Sequence, residues 1–383
     1  MNDEKNRSQT VDIVKGMAIL SVAFYHLVYR EKDGLVDQTV RESIYLVLPL
    51  FFLISGYFYR YKNRTLMESI KHRIKNLLLP AVVTMAIMLV IGFVYYHFVY
   101  DYDFNKWIGD VLFTYMRPEF VQHFTMKWGD GGQLFFNLSP VWFIWTLFFS
   151  TMVFFPAAEF AFKSVSCYVV TFLVLFFAGS ALYLLLPPTP WSITLAPMYA
   201  SIMLLGAGIR HLQMLETHRI PVWSRAVLTL VCIGLHICIF RFCGTDAIYT
   251  GNIGSHGLLG CVLFVVETLV GGYAMFNVAD LFDQAGIVGI SFGWIGMHSF
   301  DIMMFHCFFG GIVADMLWTT NKPGPFWYVE MTPEALTTSL ISFVMGVSMS
   351  IAVCILKDSR KKQVINEEMP EDIEMDYDWE SEG

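Results

Sequence analysis

The chain has 383 residues, 56% of them hydrophobic and 15% charged, with a mean hydropathy of +0.53 and a formal net charge of −8. A soluble domain carries about 25% charged residues, and here the apolar residues gather in runs of 18 or more, each long enough to cross about 30 Å of hydrocarbon at 1.5 Å per residue. A large soluble helical protein is therefore set aside, and the expected fold class is all-α, a polytopic membrane protein.

In chain order the hydropathy predicts ten transmembrane helices, near 11–30, 43–60, 77–100, 140–162, 166–187, 192–209, 221–240, 257–279, 287–313 and 336–356. Pro80, Pro187, Pro188 and Trp191 mark several boundaries. The first run does not read as a signal peptide, because it contains Lys15 and His26, is of spanning length and has no small-residue cleavage site after it. No internal repeat is visible, which argues against paired inverted transporter halves. Residues 1–362 are read as one membrane domain and 363–383 as an acidic, disordered cytoplasmic tail. Glu367 to Gly383 hold nine acids and no base, and without them the membrane body is nearly neutral. Seven cysteines lie in or beside apolar runs with no C-x-x-C pair, so they read as small packing residues rather than disulfides or metal ligands.

Orientation follows from Lys and Arg. The stretch from Arg60 to Asn76, read as a loop, holds six bases against the single acid Glu68, whereas 101–139 holds three bases and five acids. With ten spans, Arg210, Arg219, Arg225, Lys357, Arg360, Lys361 and Lys362 fall on the same side as the first basic stretch. The positive-inside rule makes that side cytoplasmic and puts both termini there.

Ionisable groups at bilayer depth are costly, on the order of 2.5–3.5 kcal/mol each at a helix centre, and they mark sites. Asp12 precedes Lys15 by three residues and can pair with it on the first helix. Lys15 and His26 share a face, differing by about 20° around the axis and about 16.5 Å along it. Asp12 is about 21 Å from His26, too far to orient that imidazole on an unbroken helix. His306 on the ninth segment falls at a similar depth to His26. Glu267, mid-helix in the eighth segment, and Asp301, read as nearer mid-membrane, each need a partner. Either acid can orient His26 or pair structurally.

These residues resemble the acyltransferase-3 family of integral-membrane O-acyltransferases over most of residues 10–356. The likeness rests on Asp12…Lys15-Gly16…His26, on Phe51-Phe52-Leu53-Ile54-Ser55-Gly56-Tyr57, on Lys71-His72-Arg73-Ile74-Lys75-Asn76 leading to Pro80, and on Gly296…Ser299…His306 with the family's ten-residue step from Gly to His. Val141-Trp142-Phe143 is also similar. Lys15 stands where many relatives have Arg, and Asn76 where a base is common; a lysine offers a point charge but no bidentate fork.

The resemblance implies acyl transfer, usually acetyl from acetyl-CoA, to a carbohydrate hydroxyl on or near the outer face. The anionic nucleotide end of CoA is then expected at Lys15, Arg73 and Lys75, with the pantetheine arm bridging to His26. There a neutral imidazole accepts the hydroxyl proton or carries the acyl group. His26 and His306 are the expected catalytic residues. Asp12, Ser55, Gly56, Tyr57, Glu267, Ser299 and Asp301 are expected to support or orient. The expected partners are acyl-CoA, a carbohydrate acceptor and membrane lipids, with no nucleic acid, no metal and no permanently bound cofactor. The expected location is the bacterial cytoplasmic (inner) membrane. Trp107, Trp128 and Gly129-Asp130-Gly131-Gly132 in the long outer loop are where an acceptor sugar is sought. The alternative is a proton-coupled transporter or flippase using the buried His, Asp and Glu as a relay.

Overall fold

Apolar side chains on every face of a helix leave it stable only inside a protein or in lipid, and that composition dominates the fold. The computed structural model describes residues 2–28, 47–59, 65–101, 103–105, 107, 141–186, 189–212, 221–243, 257–317 and 333–368. Among these residues there is no strand. The helices are α1 (Asn2–Leu27), α2 (Val47–Tyr57), α3 (Leu66–Arg73), α4 (Leu79–Tyr100), α5 (Val141–Ala161), α6 (Val165–Leu185), α7 (Ala196–His211), α8 (Val222–Cys243), α9 (Gly257–Asp283), α10 (Ile287–Met297), α11 (Ser299–Leu317) and α12 (Pro333–Glu368).

Seven stretches of helix are long and apolar enough to cross a membrane: Gln9–Leu27, Leu66–Val99, Phe143–Ala161, Val165–Leu185, Ile193–His211, Gly257–Asp283 and Leu336–Arg360. The pair α10 and α11, bent by 80°, makes an eighth if it counts as one span. The apolar helices Val47–Tyr57 and Trp223–Ile239 are shorter. Each of the ten predicted segments thus contains helix, while spanning length is reached by seven or eight among the described residues.

Two local readings are corrected. The basic stretch before the third span is not a loop where it is described. Thr65 caps α3, its hydroxyl accepting from the Glu68 amide at 3.3 Å while Glu68 Oε2 accepts from the Thr65 amide at 2.8 Å, a reciprocal capping box. Helix α3 then continues through a π-turn, Ile74–Leu78, into α4. Pro80 supplies the reason: it has no N–H to give the previous turn, and its ring crowds the carbonyl four residues back, so the turn before it widens.

The ninth segment is likewise not one helix. It breaks at His298 into α10 and α11. Asp301 stands in the first turn of α11 and pairs with Lys357 of α12.

Helix α1 is the hub. It packs on α9, α10, α11 and α12, burying Val11, Ile13, Val14, Ala18, Ile19 and Val22. Helices α5, α6 and α7 pack together alongside, and Phe52 of α2 stacks on Tyr199 of α7 with ring centroids 3.9 Å apart. The outer faces of α4, α6 and α8 expose Val90, Phe98, Val174 and Leu230, the surface a lipid-facing helix presents.

Candidate active site

Close approach of backbones sets the geometry. A Cβ added to Gly296 of α10 would fall on the Asp12 carbonyl of α1, and one added to Gly16 would fall on the Phe292 carbonyl. Only glycine permits such a crossing, the small-residue contact by which membrane helices approach most closely. From this crossing the two segments each run ten residues to a histidine. His26 lies in the last turn of α1 and His306 in α11. Both are buried, and their ring centroids are 5.6 Å apart with the planes tilted by 38°.

The tautomer of His306 follows from its surroundings. Nδ1 lies 2.8 Å from the Ile302 carbonyl, which can only accept, so Nδ1 carries the proton. Nε2 is left with its lone pair and lies 3.2 Å from Sγ of Cys307, whose thiol donates to it. Next to the pair, Gly310 of α11 faces the Leu27 side chain, and a Cβ on Gly346 of α12 would press on the His306 carbonyl and Gly310. The backbone carrying His306 is thus held between α1 and α12.

At the other end of α1, Lys15 Nζ lies 2.8 Å from Asp12 Oδ1 and 5.1 Å from the centroid of the Phe58 ring. Helix α1 is unbroken from Asn2 to Leu27, so the eleven-residue step from Lys15 to His26 spans about 16.5 Å. Arg73 caps the π-turn and Lys75 sits within it, exposed. That turn packs against α5, a different neighbourhood from the Lys15 contacts with Asp12 and Phe58.

The Ser55-Gly56-Tyr57 element has a packing role. A Cβ on Gly56 would land on the Met203 backbone of α7, and one on Gly206 of α7 would land on the Leu53 carbonyl. The Tyr57 carbonyl accepts from Arg210 Nη1 at 3.2 Å, and that guanidinium lies 5.7 Å from the Tyr57 ring. Ser55 is half-buried on α2, and Ser299 is the first residue of α11.

The two acids left open between orienting His26 and pairing elsewhere are found paired elsewhere. Glu267 Oε1 makes a short contact with Nδ1 of His236 on α8, both buried. Asp301 Oδ1 accepts from Lys357 Nζ at 2.5 Å. His236 escaped the sequence reading. Its signal was a lone histidine midway along an apolar helix, preceding a segment with a lone mid-helix acid. Arg225, placed by the sequence with the basic loops, reaches across to α9, with Nη2 2.6 Å from Asp280 Oδ2 and 3.0 Å from Asn277 Oδ1. Cys167, Cys232, Cys238, Cys261, Cys307 and Cys354 are free thiols. Trp107 is buried beside Phe93, while Trp128 and Gly129 to Gly132 lie outside the described residues, as does the tail beyond Glu368.

A family model described as an acyltransferase domain, that of the acyltransferase-3 family, matches residues 9–358. No curated protein and no solved structure matches the chain.

Proposed function

The chain belongs to the acyltransferase-3 family, and from that premise we propose that this membrane acyltransferase moves an acyl group, acetyl in the simplest case, from acyl-CoA to a hydroxyl of a surface carbohydrate or its lipid-linked precursor. The observation that carries the reading is the His26–His306 pair, two buried imidazoles 5.6 Å apart on different helices. His26 stands about 16.5 Å along α1 from Lys15.

In the proposed reaction the phosphates of acyl-CoA are met by Lys15 on α1 and, from a separate neighbourhood, by Arg73 and Lys75 of the π-turn, and the extended arm carries the thioester toward His26. The acceptor oxygen attacks the thioester carbonyl while His26 takes the hydroxyl proton. The C–S bond breaks, and the proton passes from the imidazolium to the departing thiolate, leaving an ester and CoA. His306 stands beside His26, and its Nε2 is suited to receive a hydrogen bond from the acceptor hydroxyl once the Cys307 thiol that donates to it turns away. The basic clusters support a topology with both termini inside the bacterial cytoplasmic membrane and the histidine pair toward the outer half.

The test is transfer by purified protein in detergent: acyl-CoA plus an oligosaccharide acceptor should yield free CoA and an acylated sugar by mass spectrometry. Protein that leaves both substrates intact, yet carries the glycan across vesicles under a proton gradient, would overturn the reading in favour of a transporter.

A further inference from the structure

Three donor atoms of different chemistry converge where the ninth segment breaks. A ring nitrogen of His298, a carboxylate oxygen of Asp301 and Sγ of Cys354 lie within 4.8 Å of one another. They come from two regions far apart in sequence, the α10–α11 junction and α12. Cys354 is fully buried, and His298 and Asp301 are half-buried. Around them, Asp358 Oδ2 lies 3.2 Å from Nε2 of His298, and Lys357 Nζ lies 2.5 Å from Oδ1 of Asp301.

The neighbours bear on what the group is for. Two ion pairs account for His298, Asp301, Lys357 and Asp358, and the buried thiol of Cys354 completes a set of three donors drawn from two elements. With Asp358 on Nε2, the imidazole has Nδ1 left as its ligating atom. A carboxylate on the far nitrogen is the arrangement that fixes the ring of a metal-bound histidine. Charge points the same way. Metal binding releases the thiol proton of Cys354, and Asp301, Asp358 and the resulting thiolate set against Lys357 then sum to minus two, which one divalent cation cancels. Nitrogen, oxygen and thiolate together select zinc over magnesium or calcium, which prefer oxygen alone.

We propose that His298, Asp301 and Cys354 bind a zinc ion, tying α12 to the break from which α11 starts. Zinc bonds of about 2.0–2.3 Å require donors roughly 3.5 Å apart, so the ion draws the three inward by about 1 Å, and water completes the tetrahedron. Lys357 keeps its hold on the second oxygen of the Asp301 carboxylate. His306 lies five residues beyond Asp301 on the same helix, about 7.5 Å along the axis, so the ion fixes the origin of the helix carrying that imidazole. The inference is independent of the acyl-transfer reading.

The experiment uses full-length protein in detergent, stripped with a chelator and titrated with Co²⁺. One equivalent should bind with a thiolate-to-cobalt charge-transfer band and tetrahedral ligand-field absorption, both erased by adding Zn²⁺. Zinc should also raise the thermal midpoint of the stripped protein. Cys354→Ser should lose the charge-transfer band, and Asp358→Asn should weaken cobalt binding by about 10–100-fold while keeping it. Monodisperse wild-type protein with no cobalt band overturns the proposal, as does a band that survives in Cys354→Ser. The wild-type readout comes first, so a variant that fails to fold does not protect the idea.

Discussion

Gly16 and Gly296 face each other so closely that neither helix has room for a methyl group at the crossing: each added Cβ would fall on a carbonyl of the other helix. This contact aligns the first half of α1 with α10, and the two ten-residue steps that follow bring His26 and His306 together. The glycines of the motif therefore serve the histidines by setting helix separation.

Gly296→Ala and Gly16→Ala should each destabilise the protein by about 1–3 kcal/mol through overpacking, more than the gain of about 1 kcal/mol that alanine brings to a helix interior. Gly293→Ala is the contrasting case. Its Cβ would meet Ile13 at 3.8 Å, an ordinary contact, so the propensity gain should prevail. Thermal unfolding in detergent should place Gly293→Ala at or above wild type and the other two below it. Equal behaviour of the three would deny the crossing.

His26→Ala should lower transfer by 10²–10⁴-fold, the usual contribution of a positioned general base (about 3–5 kcal/mol), with donor binding preserved. His306→Ala should fall by about 10²-fold, at the low end of the same range. Size-exclusion chromatography establishes that the variants are folded before rates are compared. A well-folded His26→Ala protein working at near wild-type rate would make that imidazole structural.

Neutralising Arg73 or Lys75 should raise KM for acyl-CoA with little change in kcat, because phosphate contacts are made equally in ground and transition states. Donor saturation curves unchanged in both variants would place the nucleotide elsewhere.

The Glu267–His236 pair joins α9 to α8. Glu267→Ala should cost about 1–2 kcal/mol, the scale of an interhelical polar contact in a membrane. The double change His236→Leu with Glu267→Leu should recover most of it, since removing both partners spares the orphaned group. Transfer by the double variant within about twofold of wild type marks the pair as structural; a collapse in rate with stability restored assigns it a chemical role.

A reporter fused after Gln363 should read cytoplasmic and one near Gly131 external, as the distribution of Lys and Arg requires. The opposite result would move the donor side to the other face and displace the CoA assignment with it.

What the sequence made legible is what is local or set by topology. Asp12 with Lys15 follows from a three-residue step on one helix, and the shared depth of His26 and His306 follows from counting spans. Pairings between distant segments were beyond it. Nothing in the apolar stretch 257–283 names His236 as the partner of Glu267, because a pair between helices depends on rotation and packing that hydropathy does not encode. The break at His298 was hidden for a related reason. Residues 287–313 read as one apolar run with no proline, and the helices on either side of the kink pack on α1 and α12, contacts that hydropathy does not show. Gly56 illustrates a third limit. Its motif stands out in sequence, but the cause, the Met203 backbone of α7, lies some 150 residues away and shows only in three dimensions.

The π-turn at Ile74–Leu78 separates where the basic segment sits from the direction in which it points. Each residue of helix turns the chain by about 100°, so gaining or losing one residue in this turn would swing Lys71 and Arg73 around the axis while α4 kept its register against the bundle. Aim and anchorage are thus independently adjustable along one rod, and the bearing of those charges can be altered without repacking the apolar body.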